Sequence, residues 1–212
     1  LSSYLAPAAA ARAESRQKGS RFLALLEPVA DEAAARARLQ AIVAAHRDAT
    51  HCCWAYRLGA PARERCSDAG EPKGTAGPPI LRALQTAALS DALLAVLRWF
   101  GGTKLGKGGL VRAYGGAARA VVAAAPTRRR LSRRRVVVEL PYARLGAVQR
   151  LLRPPEVELV GESFGERLRW VLAVADERLA AVSELAAALG LRLEVDGHEG
   201  GTTVPSDEAG AG

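Results

Sequence analysis

RWFGGTKLGKGGLVRAYGGA, residues Arg98 to Ala117, places five of its seven glycines, and two lysines, just where an apolar run stops and a helical pattern starts. Ala92 to Leu97, continued by Trp99 and Phe100, reads as a buried strand. Leu110, Val111, Tyr114, Ala117, Ala118, Val121 and Val122 then recur at helical spacing. The glycines therefore occupy a strand-to-helix turn. Bare backbone N–H groups, two ammoniums and a helix N-terminus together make an anion site. Glycine suits it because a positive φ or a close ligand leaves no room for a side chain. A tight turn packed beneath a helix explains the same residues without a ligand. The phosphate-loop pattern GxxxxGK[ST] is absent, since Gly108 follows Lys107 where the metal-binding hydroxyl would stand.

The 212 residues suffice for two small domains, each with a core. No run approaches the roughly 20 apolar residues of a membrane span. The start, LSSYLAPAAAAR, lacks the basic and long apolar regions of a secretory leader, so a cytoplasmic protein with no membrane partner is expected. Cys52, Cys53 and Cys66 are too few for a disulfide framework and lack zinc-ligand spacing. Arginine outnumbers lysine 26 to 4, and methionine and asparagine are absent, a bias that fits a GC-rich genome or a heat-adapted source.

The net charge of +8 is unevenly spread. Residues 1–125 carry 17 bases against 9 acids, residues 126–135 hold six arginines and no acid, and residues 136–212 carry 7 bases against 13 acids. The first half thus favours an anionic partner and the second does not. We expect a basic domain over 1–125, an Arg-rich linker or exposed edge strand over 126–135, an acidic domain over 136–198 and a flexible tail over 199–212. The linker arginines read either as solvated charge at a junction or as nucleic-acid contacts.

In the second half, Val136 to Leu140 reads as a strand and Ala143 to Leu152 as a helix stopped before Pro154 and Pro155. Val157 to Phe164 and Leu168 to Ala175 form a hairpin about Gly165. Val182, Leu185, Ala186 and Leu189 mark a helix, and Leu191 to Val195 a last strand. The order βαββαβ is the ferredoxin-like split motif, with helices on one sheet face and the other open. Its acidity and lack of paired aromatics argue against RNA recognition by that face. His198, beside the tail, reads as solvated.

In the first half, alternation over Ala11 to Arg16, then Gly19 and Arg21 to Glu27, predicts a hairpin. Asp31 caps a helix whose Leu39, Ile42, Val43 and His46 share a face. From His51 to Leu58, Cys52, Trp54, Tyr56 and Leu58 point to the core, leaving His51 and Arg57 on the other side as a possible binding surface. In Ser67 to Leu81, SDAGEPKGTAGPPIL, Pro78 and Pro79 open a second helix that Thr75 or Gly77 caps. Two helix N-termini beside two glycine-rich loops would reinforce one another around one anion. Asp68 and Glu71 oppose this unless they are paired to Lys73, Lys104 or Arg98, or unless a metal intervenes. Their alternative role is turn chemistry and loop salt bridges. Ser67, Asp68 and His51 suit nucleophilic hydrolysis by type, but no GxSxG elbow accompanies them.

HCCWAYRLG from His51, SDAGEPKGTAGPPIL from Ser67 and RWFGGTKLGKGGLVRAYGGA from Arg98, in that order and with this two-domain layout, resemble the IMPACT/YigZ family. The resemblance implies an α+β protein. Its N-terminal domain would be a two-layer sandwich similar to the second domain of ribosomal protein S5. Its C-terminal domain would be similar to the last domain of elongation factor G. It also implies a role near ribosomes or RNA. Eukaryotic relatives regulate translation by competing for a ribosome-associated activator of a nutrient-sensing kinase. Ala69, where relatives often carry a second acid, weighs against a metal in this loop.

The leading expectation is a non-enzymatic RNA- or ribosome-binding regulator of translation, with a protein partner in translation control as a further possibility. Its anion-binding residues would be Arg98, Gly101, Gly102, Lys104, Gly106, Lys107, Gly108, Gly109 and Arg112. The adjacent family loop contributes Ser67, Asp68, Gly70, Glu71, Gly74 and Thr75. No catalytic residue, metal or cofactor is assigned. An enzyme acting on a phosphorylated small molecule and a protein-binding adaptor are the alternatives.

Overall fold

The computed structural model describes residues 3–199, with the side chains of 196–199 excepted. The expected tail from residue 200 onward and the side chain of His198 lie outside the described residues. The chain is mixed α and β, and it divides between Arg128 and Arg129, with Ser3 grouped with the second unit.

The first unit runs through β1 (Ser3–Pro7), β2 (Ala11–Gln17), β3 (Ser20–Pro28), α1 (Glu32–Ala45), β4 (His51–Leu58), β5 (Arg63–Ser67), α2 (Gly77–Thr86), β6 (Ala92–Trp99) and α3 (Gly106–Ala124). Five strands form an antiparallel sheet in the order β2-β3-β6-β4-β5. The hairpin turns on Lys18 and Gly19, both at positive φ, in a two-residue loop closed by the Gln17 and Ser20 pair. That geometry matches the twist of the flanking strands.

Central β6 is apolar from Ala92 to Leu97 because both of its faces are covered. Leu94 and Val96 join Phe22, Ala24, Cys53 and Ala55 beneath α2 and α3. Leu93, Ala95 and Leu97 pack with Tyr56, Leu58 and residues of α1 on the opposite face. The expected two-layer sandwich is therefore corrected to three layers. The reason lies in α1, whose apolar face is narrow. Ala35 and Ile42 are buried and Leu39 half-buried, whereas Val43, counted to that face in the sequence, is 47% exposed. The Asp31 cap is present, its carboxylate accepting from Ala34 N at 2.7 Å.

The 126–135 stretch is strand rather than linker. Thr127–Leu131 forms strand β7, and β8 begins at Arg133. Arg133 is 1% exposed and gives Nη1 to Glu158 at 2.8 Å and Nη2 to the Pro155 carbonyl. Arg134 meets Asp176 at 3.1 Å. Local composition could not reveal these partners, which lie 25 and 42 residues downstream.

The second unit continues as β8 (Arg133–Leu140), a 3₁₀ turn leading into α4 (Leu145–Gln149), β9 (Val157–Ser163), β10 (Leu168–Ala175), a second 3₁₀ turn leading into α5 (Leu179–Ala188), and β11 (Arg192–Glu199). The sheet order is β11-β8-β10-β9, antiparallel. Val136, Val138, Leu140, Leu168, Trp170, Leu172 and Val174 form one face, packed with Val148 of α4 and Val182 of α5. The other face is not simply open as expected. Val137, Val171 and Ala173, on the two central strands, are buried as well.

Candidate anion-binding site

Gly101 and Gly102 lie between β6 and α3 where the sequence places the turn, whereas Gly106, Gly108 and Gly109 fall in the first turn of α3, and the glycines serve different ends. Gly101 lies against the β2–β3 turn. A Cβ there would fall 1.9 Å from the Gly19 carbonyl carbon and 2.3 Å from Ser20 N, so no larger residue fits. Gly102 and Gly106 hold positive φ. Gly108 sits inside α3, where a Cβ would meet nothing closer than Arg112 Nη1 at 3.6 Å.

The N-terminus of α3 is unfilled. Leu105 supplies no capping side chain, and the first turn contains no acid. Its orphan N–H groups and partial positive charge face outward. Lys104 and Lys107 stand exposed beside it. A cavity of about 300 Å³ opens there, walled by Glu71, Arg98, Phe100, Lys104, Lys107 and Leu110.

The N-terminus of α2 is occupied from within the chain. Asp68 Oδ1 accepts from Ala76 N and Gly77 N at 2.9 Å each, and Oδ2 accepts from Gly74 N at 2.8 Å. Burial pushes its carboxyl up, yet the amides of Gly74, Ala76, Gly77 and Thr75 outweigh that and hold it below the usual carboxylate value. The expected pairing of two helix termini around one external anion is thereby corrected. Asp68 is the anion of α2, and α3 alone is left open. Thr75 does not cap α2; its hydroxyl donates to the Pro72 carbonyl at 2.6 Å.

Arg98, expected among the free cations, is 6% exposed. Its Nη1 contacts Glu71 Oε1 at 2.7 Å and its Nη2 donates to Ser20 Oγ at 3.3 Å, while Nε has no hydrogen-bond partner. The Tyr114 hydroxyl donates to the same Glu71 oxygen at 2.7 Å. Burial, with Cys53 and Glu71 nearby, drives the Tyr114 phenol far above its ordinary value, so it stays a donor. Ser20, Arg98, Glu71 and Tyr114 thus tie β3, β6 and α3 to the Ser67–Thr75 loop. A buried carboxylate so paired is structural anchoring for the loop.

His51 contacts the Ala69 carbonyl through Nδ1 at 3.1 Å, which requires the proton on that nitrogen, and Nε2 lies 4.0 Å from Glu71 Oε1. Gly70 leaves space for this ring, since a Cβ there would approach Nδ1 to 3.2 Å. Arg57, at the far end of β4, is held by Glu64 at 2.7 Å. Six residues of strand separate His51 from Arg57, about 20 Å, so the two form no common surface. Ser67 Oγ accepts from Ala69 N at 3.2 Å, a turn contact. Cys53 donates to the Asp68 carbonyl at 2.9 Å, and burial raises its thiol to about 12. Among the described residues no three His, Cys, Asp or Glu side chains converge as a metal site would.

Residues 18–122 match the Impact N-terminal domain. An IMPACT family member of Haemophilus influenzae is 34% identical over 186 residues, covering 86% of this chain and 90% of that protein. A Thermus thermophilus protein described as an IMPACT family member in the pol 5′ region is 43% identical over 155 residues, covering 72% of this chain and 83% of its own. The chain belongs to the IMPACT family. A crystal structure described as a hypothetical protein shares this IMPACT fold at a TM-score of 0.72 and 30% identity, spanning 93% of this chain and 98% of that one. In the IMPACT chain, Ser20 and Tyr114 are site-building residues that sequence reading missed. Tyr114 gave one signal, a hydroxyl on a helix face otherwise built of small and aliphatic residues.

Proposed function

We propose that this IMPACT family member is a non-catalytic, RNA- or ribosome-associated protein acting in translation control, and that its basic N-terminal domain makes the contact. The open N-terminus of α3, flanked by exposed Lys104 and Lys107 with Arg112 one turn on, carries this reading. Self-capping of α2 by Asp68 sharpens it, because it leaves one terminus able to receive an external phosphate. The acidic second domain, with its βαββαβ order, supports a ferredoxin-like module similar to the last domain of elongation factor G, used for docking rather than RNA reading. The first domain is read as related to the second domain of ribosomal protein S5.

The test is titration of the full chain with ribosomes and with labelled single-stranded RNA over a range of salt. Binding is expected to tolerate changes in RNA sequence and to weaken steeply with salt as counterions are released. Lys104→Gln with Lys107→Gln should reduce the log–log salt slope by about 0.7 per lost phosphate contact. Absence of binding to either partner at low salt would overturn the proposal. The cavity between Glu71 and Lys107 favours one second reading, an enzyme of phosphorylated small molecules. Saturable, salt-tolerant binding of a nucleotide or sugar phosphate would select it.

A further inference from the structure

Together α2 and α3 contain four cations, Arg82, Lys107, Arg112 and Arg119, and no acid. All four are exposed and none has a carboxylate partner among the described residues. Elsewhere in the same unit, Arg21, Arg36, Arg38, Arg57 and Arg65 each contact a glutamate. Positive charge left unbalanced on one helical layer is the electrostatic footprint expected of a polyanion site.

The layer also has internal order. GGLVR at 108–112 is followed seven residues later by GGAAR at 115–119. Seven residues bring both arginines to nearly the same face of α3, about 10.5 Å apart along its axis. Each guanidinium folds back over the glycine four positions earlier. Arg112 Nη1 lies 3.6 Å from where a Gly108 Cβ would be, and Arg119 Nη1 lies 3.1 Å from that of Gly115. Both therefore lean toward the open N-terminal end of α3, in line with the backward tilt of helical side chains. Facing Arg119 across a groove of about 240 Å³ stands Arg82 of α2, and Pro78, Pro79, Val111 and Gly115 line the space between. Val111 is 41% exposed in spite of its helical surroundings.

Resting on the RNA-binding reading above, we infer that the α2–α3 groove is a track for the sugar–phosphate backbone of single-stranded RNA, with Arg82 and Arg119 on its two sides and Arg112 ahead of them. Arg112 and Arg119, about 10.5 Å apart along α3, are far enough apart to meet different phosphates of one strand. Smooth, largely apolar lining between the cations accepts sugars without reading bases, so contact is independent of sequence. The helical layer, not the sheet, is then the RNA face. That agrees with the placement of Trp54 and Tyr56 on the α1 side, where their rings stack on one another at 5.8 Å.

The full chain is titrated with a fluorescently labelled oligouridylate at several salt concentrations. Arg82→Gln with Arg119→Gln is expected to weaken binding at least tenfold at low salt and to flatten the salt slope by about 1.4, two contacts' worth. Val111→Glu, which places a negative charge in the groove without removing a buried group, should weaken binding to a similar degree. If the loop variant Lys104→Gln with Lys107→Gln weakens binding while both groove variants match the parent, the track is wrong and the RNA reading stands. If the parent binds ribosomes but not the oligonucleotide, the track falls and the ribosome-associated reading stands; if it binds neither, both fall together. An acidic polyglutamate that displaces the oligonucleotide at equal charge concentration would overturn RNA as the occupant in favour of an acidic protein.

Discussion

Arg98 illustrates how one side chain changes meaning between sequence and structure. Beside two lysines and five glycines it reads as a phosphate ligand, yet both its terminal nitrogens are committed to Glu71 and Ser20. Arg98→Ala would leave Glu71 buried with the Tyr114 hydroxyl as its remaining hydrogen-bond donor among the described side chains, a loss of about 3–5 kcal/mol by the behaviour of other broken buried pairs. Tyr114→Phe removes one hydrogen bond to a charged group and should cost about 1.5–3 kcal/mol. Denaturant unfolding of both variants, with RNA binding measured where they remain folded, checks this. An Arg98→Ala protein of parental stability would refute the anchoring role. Nothing in the sequence could announce the pair, because the two partners stand 27 residues apart and their burial depends on the assembled sheet.

At the scale of elements, the best-read segments were those with strong periodicity. The β2–β3 hairpin and β6 lie near their expected bounds and the βαββαβ order is present, because alternation or helical spacing with clear turn residues marked them; α3 starts earlier, at Gly106, and α4 is shorter, Leu145–Gln149 against the expected Ala143–Leu152. β5, RERCS, was missed since a polar, largely exposed edge strand carries no apolar alternation. The cap of α2 was missed for another reason. Asp68 precedes Ala76 by eight residues, so the loop must fold before the carboxylate can reach the amides.

That cap makes a pH prediction. The folded-state carboxyl of Asp68 lies below its ordinary value, so its contribution is complete above the unfolded-state pKa, about 3.9, and is lost as pH falls through the folded value. Asp68→Ala should destabilise by about 0.5–2 kcal/mol at neutral pH. It should also lessen the loss of stability on acidification, measured by urea unfolding at neutral and acidic pH. An unchanged acid limb would exclude Asp68 as a titrating cap.

For the whole molecule, charge asymmetry was plain from the sequence, but its meaning shifted once pairing was visible. The arginines of 126–135 are not uniformly an exposed connector, since Arg133 is buried against Glu158 and Arg134 meets Asp176, while Arg129 is exposed. Limited trypsin digestion of the native chain should therefore spare the bonds after Arg133, Arg134 and Arg135, which lie in a strand paired on both edges. A first cut there would show that β8 frays and that the junction is mobile after all.

The environment of Cys53 has a practical consequence. Its thiol is spent on the Asp68 carbonyl and kept protonated by burial, and Cys52 is likewise raised to about 11. Cys66, on edge strand β5, is the exposed one of the three. Its thiol is raised too, by partial burial with Asp68 and Glu64 nearby; alkylating dyes need access as well as a thiolate, so labelling of the unaltered protein at alkaline pH is expected to favour Cys66, at the rim of the sheet, without any engineered cysteine.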